Sequence, residues 1–432
     1  MIARRIVVFL ALAALAAGAW LVGDRLLVDR TPIVVGILHS ETGPMAVSER
    51  PMIESEILAL EEVNAAGGLL GRPVRWVVAD GASDWPTFAK QAERLVRDEG
   101  ACVVFGCWTS ASRKSVLPVF EKLDHLLVYP MAYEGMEQSP NVVYVGASAN
   151  QQVVPAVQWC HEQLKARRFF LVGSNYIWPR CVNAIAKDQV LGLGGEVVEE
   201  AYLAFGSADV DGLVRRISET RPDVILSSVV GDSAIAFARG MRAAGLDPSK
   251  VPTVTFAVGE NELQAMQPGD MAGDYAAWSY FQSIGGPRNR DFVGAFRTRY
   301  GADRSVADVN VSAWMGVQMW AQAVREAGTT DVRQVRSAMR RQSMDAPEGV
   351  VAIDPESQHA WRTACIGRIR PDRQVDVVWT TGIPIRPVPF PATRTRAAWE
   401  SFVDELQRGW GGRWTGPTAD DVAAAQRKAA VP

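Results

Sequence analysis

Polar and aromatic residues that could bind a small molecule cluster in this sequence just after short apolar runs. The candidate ligand-binding residues are Trp108, Thr109, Ser110, Tyr129, Met131, Tyr133, Tyr176, Trp178, Asp232 and Glu260. Hydroxyl groups and the free backbone N–H groups of a helix start suit a carbonyl oxygen. A carboxylate only accepts hydrogen bonds, so acidic groups among aromatic walls favour a ligand that carries N–H groups. This combination predicts a cleft for a small polar molecule.

Two of these residues have simpler roles that the sequence leaves open. Ser110 begins a predicted helix, so it either caps that helix or binds the ligand. Asp232 is either the N-cap of a helix or a ligand acceptor. A single Tyr or Trp at a strand end usually packs in the core, but Trp108, Tyr129 and Tyr176 recur in separate strand-end loops. That recurrence indicates an aromatic-lined cleft.

The sequence lacks the patterns of common catalytic and metal sites. It has no G-x-S-x-G elbow, no P-loop and no dinucleotide-binding glycine motif. His39, in the first strand-end loop, could act as a base, but no nucleophile motif accompanies it. The five cysteines form no C-x-x-C pair and are expected in the core, although Cys160 and Cys181 could form a disulfide after export. We therefore expect a protein that is not an enzyme, with no catalytic residue, metal ligand or cofactor.

Alternating strands and helices must position these loops. Apolar β-rich runs such as Ile33–Leu38 alternate with amphipathic segments such as Pro51–Ala66 and Ser110–Lys122, and a second set of the same kind begins near Asn150. This order predicts an α/β fold with two Rossmann-like lobes, each built on a parallel sheet whose carboxyl edge carries the ligand. The residues from Gly409 onward are rich in Gly, Ala and charge, which is typical of a loosely held tail.

The N-terminus and the overall charge indicate the compartment and exclude one class of partner. Arg4 and Arg5 precede the uncharged run Ile6–Gly23, which is typical either of a signal peptide cut after Ala19 or of an apolar anchor helix. Both alternatives predict the periplasm or the outer face of the cytoplasmic membrane, with membrane association if the segment is uncleaved. A net charge of -3 from 45 basic and 48 acidic residues provides no basic surface for nucleic acid.

At its strand-end loops the sequence resembles the type I periplasmic binding proteins, within them the branch of urea transporter substrate-binding proteins and short-chain amide-binding regulators. The similar segments are His39–Gly43 (HSETG), Gly106–Glu121 (GCWTSASRKSVLPVFE), Gly231–Ser233 (GDS), Ala276–Ser283 (AAWSYFQS) and Asp345–Gly349 (DAPEG). The resemblance implies three hinge crossings, near 147–150, 278–282 and 353–356. The domains it implies are a leader (1–30), lobe I (31–148 and 280–354), lobe II (149–279 and 355–392) and a C-terminal tail (393–432).

The resemblance also implies a ligand and a mode of action. An amide carbonyl is received near Ser110, between aromatic walls that include Trp108 and Tyr176. Met131 stands where the amide regulator has threonine, which reduces hydrogen bonding from its loop. The implied function is an extracytoplasmic solute-binding protein that captures urea or a short-chain amide by hinge closure and delivers it to the permease of an ABC transporter. The alternatives are a membrane-anchored amide or urea sensor that signals to a partner protein, and a receptor for branched-chain amino acids.

Overall fold

The structure, a computed structural model, describes residues 31–418 together with 421, 422, 424 and 427. The predicted signal peptide or anchor helix at Ile6–Gly23 lies outside these residues. Within the described ranges, no helix combines the length and the apolar character needed to cross a membrane.

A parallel five-stranded sheet forms the centre of lobe I. Its strands are β1 (Ile33–His39), β2 (Val74–Asp80), β3 (Val104–Gly106), β4 (Leu127–Tyr129) and β5 (Val142–Tyr144), in the spatial order β2-β1-β3-β4-β5. Every neighbouring pair is parallel. Leu38 lies beside Gly106, and Phe105 lies beside Val128, so the carboxyl ends of β1, β3 and β4 form one edge.

A seven-stranded mixed sheet forms the centre of lobe II. Its strands are β6 (Arg168–Ser174), β7 (Glu196–Leu203), β8 (Val224–Ser228), β9 (Thr253–Thr255), β10 (Tyr275–Trp278), β14 (Cys365–Ile369) and β15 (Val375–Thr380). The order is β15-β14-β10-β9-β8-β6-β7. The pairs β10–β14 and β14–β15 are antiparallel, and the other neighbouring pairs are parallel. The two-lobed α/β fold with parallel sheets is therefore confirmed.

A small antiparallel sheet precedes the third crossing between the lobes, which therefore lies later in the chain than predicted. It contains β11 (Ser343–Ala346), β12 (Gly349–Ile353) and β13 (Ala360–Trp361). Because β12 and β13 pair with each other, residues 354–359 form the turn between them, and the predicted crossing at 353–356 falls at its start. The chain passes into the lobe II sheet only at Arg362–Ala364, beyond the predicted crossing.

Helices cover the faces of the two large sheets. They are α1 (Ala46–Ala65), α2 (Trp85–Arg97), α3 (Ser110–Lys122), α4 (Val153–Gln163), α5 (Ile177–Gly192), α6 (Asp211–Thr220), α7 (Gly231–Ala243), α8 (Glu260–Ala265), α9 (Pro287–Tyr300), α10 (Asp308–Ala327), α11 (Val332–Met339) and α12 (Arg396–Gly409). The α2 start follows its sequence signal, because Asp84 caps it by accepting from the Thr87 N–H at 3.0 Å.

Several elements differ from the sequence prediction. Helix α1 begins at Ala46, five residues before the predicted start, and holds Pro51 inside it. Strands β5, β9 and β10 had no matching prediction, since three- and four-residue strands carry little periodicity. All five cysteines are free, and four are buried, so the alternative Cys160–Cys181 disulfide is not formed.

The C-terminal segment predicted as a tail, 393–432, contains a helix that ends where the stretch expected to be loosely held begins, at Gly409. After the extended stretch that precedes Thr395, α12 packs against α5 and buries Trp399, whose indole N–H donates to the Pro391 carbonyl at 2.8 Å. The following residues, to Thr418, remain in contact with lobe II through bridges to Tyr176 and Phe205. An amphipathic helix with a buried Trp explains this order, because it adds apolar surface to the lobe II core.

Candidate functional site

The carboxyl edges of the two large sheets meet across a closed cleft. The Gly231 backbone lies against Pro44, and a Cβ at position 231 would stand 2.5 Å from the Pro44 carbonyl oxygen. Gly231 also has a φ of +58°. A side chain here is therefore disfavoured both by the short contact with Pro44 and by the left-handed backbone conformation. Beside this contact, Trp85 of lobe I meets Phe205 of lobe II edge-on with ring centroids 5.3 Å apart. The two lobes therefore enclose the strand-end loops between them.

A buried cluster of one histidine and two carboxylates lies at the end of β1. His39 Nε2 is 3.1 Å from Glu56 Oε1, and His39 Nδ1 is 3.4 Å from Glu49 Oε2. All three side chains are fully buried. Glu49 Oε2 also accepts the Ser40 N–H at 2.8 Å, whereas Glu49 Oε1 and Glu56 Oε2 have no hydrogen-bond partner among the residues that the structure describes.

The cluster retains a proton at neutral pH. Burial by itself lowers the pKa of His39, but the carboxylates of Glu56 and Glu49 outweigh it and raise that pKa to about 9. Burial also raises the pKa of Glu56, with His39 opposing it. A protonated imidazole that both carboxylates hold in place leaves their remaining oxygens as hydrogen-bond acceptors.

The His39 cluster predicts a particular pH dependence of stability. A folded-state pKa near 9, against 6.5 for the free side chain, contributes stability that is fully present below about pH 6.5 and is lost as pH rises through about 9. We expect the wild type to have a larger free energy of unfolding than His39→Gln, and we expect this difference to shrink across that interval. Unfolding by guanidinium, without urea, measures it. An advantage that is equal at the two ends of the interval would contradict the assigned protonation.

Aromatic side chains supply the other polar atoms of the cleft. Trp108 follows β3 in lobe I, while Tyr176 and Trp178 follow β6 in lobe II, with the last two ring centroids 6.3 Å apart. All three are buried, and within the described part of the chain Trp108 Nε1, Tyr176 OH and Trp178 Nε1 have no hydrogen-bond partner. Buried polar atoms without partners are rare in folded proteins and call for a missing water or ligand.

Ring packing places Tyr176 close to lobe I. Its ring meets Phe205 edge-on with centroids 5.6 Å apart, and Phe205 in turn meets Trp85 of lobe I. Burial raises the pKa of Tyr176 well above its usual value, and Tyr129, Glu134 and Glu49 raise it further. The cleft thus has hydrogen-bond donors on both lobes, Trp108 on lobe I and Tyr176 on lobe II.

Of the two roles left open for Ser110, that of helix cap belongs to its neighbour. Thr109 caps α3, because its Oγ1 accepts the Ser112 N–H at 2.9 Å, and Ser110 is the first helical residue. The Ser110 hydroxyl donates to Glu134 Oε2 at 2.5 Å and accepts from Arg113 Nη1 at 3.0 Å. The expectation that Ser110 caps the helix was wrong, and its side chain is already part of a hydrogen-bond network. Its backbone N–H remains among the free groups of the first helical turn.

Arg113 organises that network inside lobe I. It donates to Glu134 Oε1 at 3.2 Å and to Glu137 Oε1 at 2.8 Å, and it lies 4.3 Å from the Tyr133 ring centroid. The coulombic pull of Arg113, followed by that of Lys114, outweighs burial and lowers the pKa of Glu137 to about 2. The network therefore fixes the loop after β4 against α3.

The predicted residues of that loop are buried but occupied by internal contacts. Tyr129 donates to the Trp108 carbonyl at 2.8 Å, and the Tyr133 hydroxyl bonds to His359 Nε2. Met131 is buried and brings no hydrogen-bonding group. Tyr129 and Tyr133 thus support the wall behind Trp108.

The two predicted acidic residues, Asp232 and Glu260, have different surroundings. Asp232 is exposed in the first turn of α7 and makes no N-cap hydrogen bond. Glu260 is buried and accepts the Gln282 N–H at 2.7 Å, next to the second hinge crossing. Burial raises the pKa of Glu260 to about 8. Ser233, the residue after Asp232, is buried, and its hydroxyl has no hydrogen-bond partner among the described residues.

Sequence reasoning missed Glu49 and Glu56, which supply the cleft's carboxylates. They are seven residues apart and therefore share one face of a helix. The signal was hidden because Pro51 was interpreted as the first residue of α1, which left Glu49 in a loop. An acidic pair at this spacing, opposite a strand that ends in His39, is the pattern that could have identified them.

Residues 33–396 match the protein family described as "Periplasmic binding protein domain". This match covers most of the chain, so the protein belongs to that family of binding proteins. A leucine-, isoleucine-, valine-, threonine- and alanine-binding protein of Pseudomonas aeruginosa is 23% identical over 326 residues, which cover 74% of this chain and 86% of that protein.

Solved structures show the same fold. A solute-binding protein of an ABC transporter from R. palustris, in complex with 4-hydroxybenzoate, has a TM-score of 0.75 at 20% identity and covers 82% of this chain and 98% of its own. The substrate-binding protein of a branched-chain amino acid transporter from Streptococcus pneumoniae, in complex with isoleucine, has a TM-score of 0.70 at 19% identity and covers 83% and 100%. Identities this low establish the architecture alone.

One relative is named for a different activity. The limonene hydroxylase of Geobacillus stearothermophilus is 33% identical over 119 residues, which are 28% of this chain and 22% of that protein. The chain spans less than a quarter of that relative's length. The family as a whole consists of substrate-binding proteins.

Proposed function

We propose that this protein is the extracytoplasmic receptor of an ABC transporter and that its closed cleft binds urea or another short-chain amide. The observation that carries the proposal is the set of buried polar atoms without partners. Trp108 Nε1 and Trp178 Nε1 can only donate hydrogen bonds, whereas Glu49 Oε1 can accept one from a ligand N–H. An amide presents a carbonyl acceptor and N–H donors within a few atoms, so it can satisfy both kinds of group.

The closed lobes favour a small ligand over a large one. The Gly231–Pro44 contact and the Trp85–Phe205 contact leave the lobes already joined. A ceiling of roughly 1.5 kcal/mol per heavy atom limits four-atom urea to about -6 kcal/mol, or a dissociation constant of tens of micromolar. Nearly complete burial and matched hydrogen bonds are required to reach that value.

A second candidate ligand class is supported by a specific comparison. The Pseudomonas aeruginosa relative that is named for binding leucine, isoleucine, valine, threonine and alanine matches over 86% of its length. An amino acid also carries an ammonium donor that Glu49 and Glu56 could accept, but its side chain needs more room than an amide does. Binding of amides and binding of amino acids therefore have to be measured side by side.

A thermal-shift panel separates these ligands. We expect urea, acetamide or formamide to raise the melting temperature, and leucine, isoleucine and valine to leave it unchanged. At 100 times its dissociation constant, a ligand adds about 2.7 kcal/mol of stability, which amounts to a few degrees for a chain of this size. A shift with the amino acids and none with the amides would replace the proposed ligand class.

Two further measurements address the role of the receptor. Incubation with urea should release no ammonia, because no nucleophile accompanies His39; steady turnover would contradict a binding-only role. The permease is the partner that the receptor role requires, and uptake of labelled urea by cells should depend on this protein. Uptake that is unchanged when the protein is removed favours the anchored sensor instead.

A further inference from the structure

A C-terminal strap, residues 410–418, borders the cleft beside Tyr176. The family match ends at residue 396, so the strap and most of α12 lie beyond the shared domain. Thr415 in the strap is buried, and Trp414 packs against the apolar core that joins the lobes.

Backbone hydrogen bonds attach the strap to lobe II at the ligand-binding loop. The Ile177 N–H donates to the Trp414 carbonyl at 3.0 Å, and the Gly416 N–H donates to the Asn175 carbonyl at 2.9 Å. These bonds frame an antiparallel bridge between Thr415 and Tyr176. The strap is thus paired with Tyr176, which packs against Phe205 at the junction of the lobes.

Close packing at Gly416 holds this pairing in one register. A Cβ at that position would stand 2.1 Å from Asn175 Nδ2. The Asn175 side chain has little freedom to move away, because its Oδ1 accepts from Arg180 Nε at 3.1 Å and from Arg180 Nη2 at 2.7 Å. Any larger residue at 416 must push the strap outward.

The strap also reaches lobe I. Lys114 Nζ lies 5.0 Å from the centroid of the Trp414 ring, while the same ammonium is paired with Glu137 Oε2 at 3.0 Å. At its other end the strap forms a bridge from Thr418 to Phe205, which itself touches Trp85 of lobe I. The strap therefore runs along the junction and contacts both sides of it.

We propose that the strap is an additional wall of the cleft that limits the size of the ligand and slows its release. The proposal rests on the solute-binding function of the cleft. Because its backbone pairs with Asn175 to Ile177, the strap moves with lobe II, and the Lys114–Trp414 contact must break each time the cleft opens. A small solute is retained behind the strap, while a bulky amide is excluded by it.

Variants of the strap test this role. Trp414→Ala removes the contact with Lys114, and Gly416→Val displaces the strap from Asn175. Arg413→Ala is the matched control within the strap, because the Arg413 side chain is exposed and pairs with Asp421 instead of with either lobe. Circular dichroism and the melting temperature of the unliganded proteins establish which variants are folded.

The readout is the relative affinity for small and bulky probes. Fluorescence titrations with urea, acetamide and benzamide are expected to show acetamide and urea binding weakened about fivefold in Trp414→Ala, as loss of a partly desolvated cation–π contact implies. Benzamide, excluded from the wild type, should bind the two strap variants. Probe affinities equal to those of Arg413→Ala in both strap variants would overturn the proposal.

A second readout separates this proposal from the identity of the ligand. If the wild type binds none of the three amides, the amide assignment fails, and the strap is judged by the rate at which an amine-reactive reagent labels Lys114. That side chain is buried in the closed protein. Faster labelling in Trp414→Ala and Gly416→Val than in Arg413→Ala supports a closing role, whereas equal rates overturn it.

Discussion

Replacement of Arg362 by methionine is expected to lower the free energy of unfolding substantially. The Arg362 guanidinium is fully buried, with Nη2 2.9 Å from Asp308 Oδ2 and 2.6 Å from Glu348 Oε2. Loss of the cation leaves two buried carboxylates without their counter-charge, which typically costs about 3–5 kcal/mol. Guanidinium unfolding, followed by circular dichroism, measures the loss.

The position of Arg362 explains why so much depends on it. Its Nη1 donates to the Val145 carbonyl at 2.8 Å, at the first crossing between the lobes. Asp308 accepts the Ser279 N–H at 3.1 Å, at the second crossing. Arg362 itself begins the third crossing, so it bonds directly to the first and is linked to the second through Asp308. We expect its loss to loosen the closed state as well as the fold.

The pH dependence of the loss identifies its cause. Burial raises the pKa of Glu348, with Arg362 opposing it, so removal of the arginine raises that pKa further. The destabilisation by Arg362→Met should therefore be smaller at pH 5, where the carboxyls can take up protons, than at pH 8. Arg333→Met, which breaks an exposed pair with Asp124, serves as the control and should change little. A loss that is the same at both pH values would point to lost packing instead.

Replacement of Tyr176 by phenylalanine is expected to abolish most of the ligand response without harming the unliganded fold. The hydroxyl is buried and has no partner, so its removal relieves an unsatisfied polar group and leaves stability unchanged or slightly higher. In the proposed complex this hydroxyl is a hydrogen-bonding group for the ligand, and the same change deletes it. We expect affinity for urea or acetamide to fall by about 10- to 100-fold, measured by fluorescence titration.

Matched variants show whether the effect belongs to the cleft. Tyr300→Phe removes a hydroxyl that donates to the Glu54 carbonyl at 2.8 Å on the outside of lobe I, so it should leave binding intact. Trp178→Phe, which deletes a second unpartnered donor, should weaken binding in the same way as Tyr176→Phe. A Tyr176→Phe protein that loses stability but keeps its affinity would mean that the hydroxyl serves the fold.

The sequence predicted the elements that depend on local signals. Helix α3 was predicted with its observed bounds, and Asp84 was correctly interpreted as the cap of α2, because caps and amphipathic periodicity are properties of neighbouring residues. The alternation of strands and helices was enough to predict two parallel sheets. It also placed the aromatic residues of the cleft, Trp108 and Tyr176, at strand ends.

The sequence by itself determined the two-lobed α/β fold and the aromatic loops of the cleft, since both follow from local periodicity. Only the tertiary structure decided which polar groups remain free. The Ser110 hydroxyl donates its hydrogen bond to Glu134. Glu49, in contrast, comes from α1 to pair with His39 and keeps one oxygen available. The strap beside Tyr176 likewise depends on contacts between residues more than 200 positions apart. Hydrogen-bond satisfaction is settled by such distant contacts, so no local pattern in the chain could reveal it.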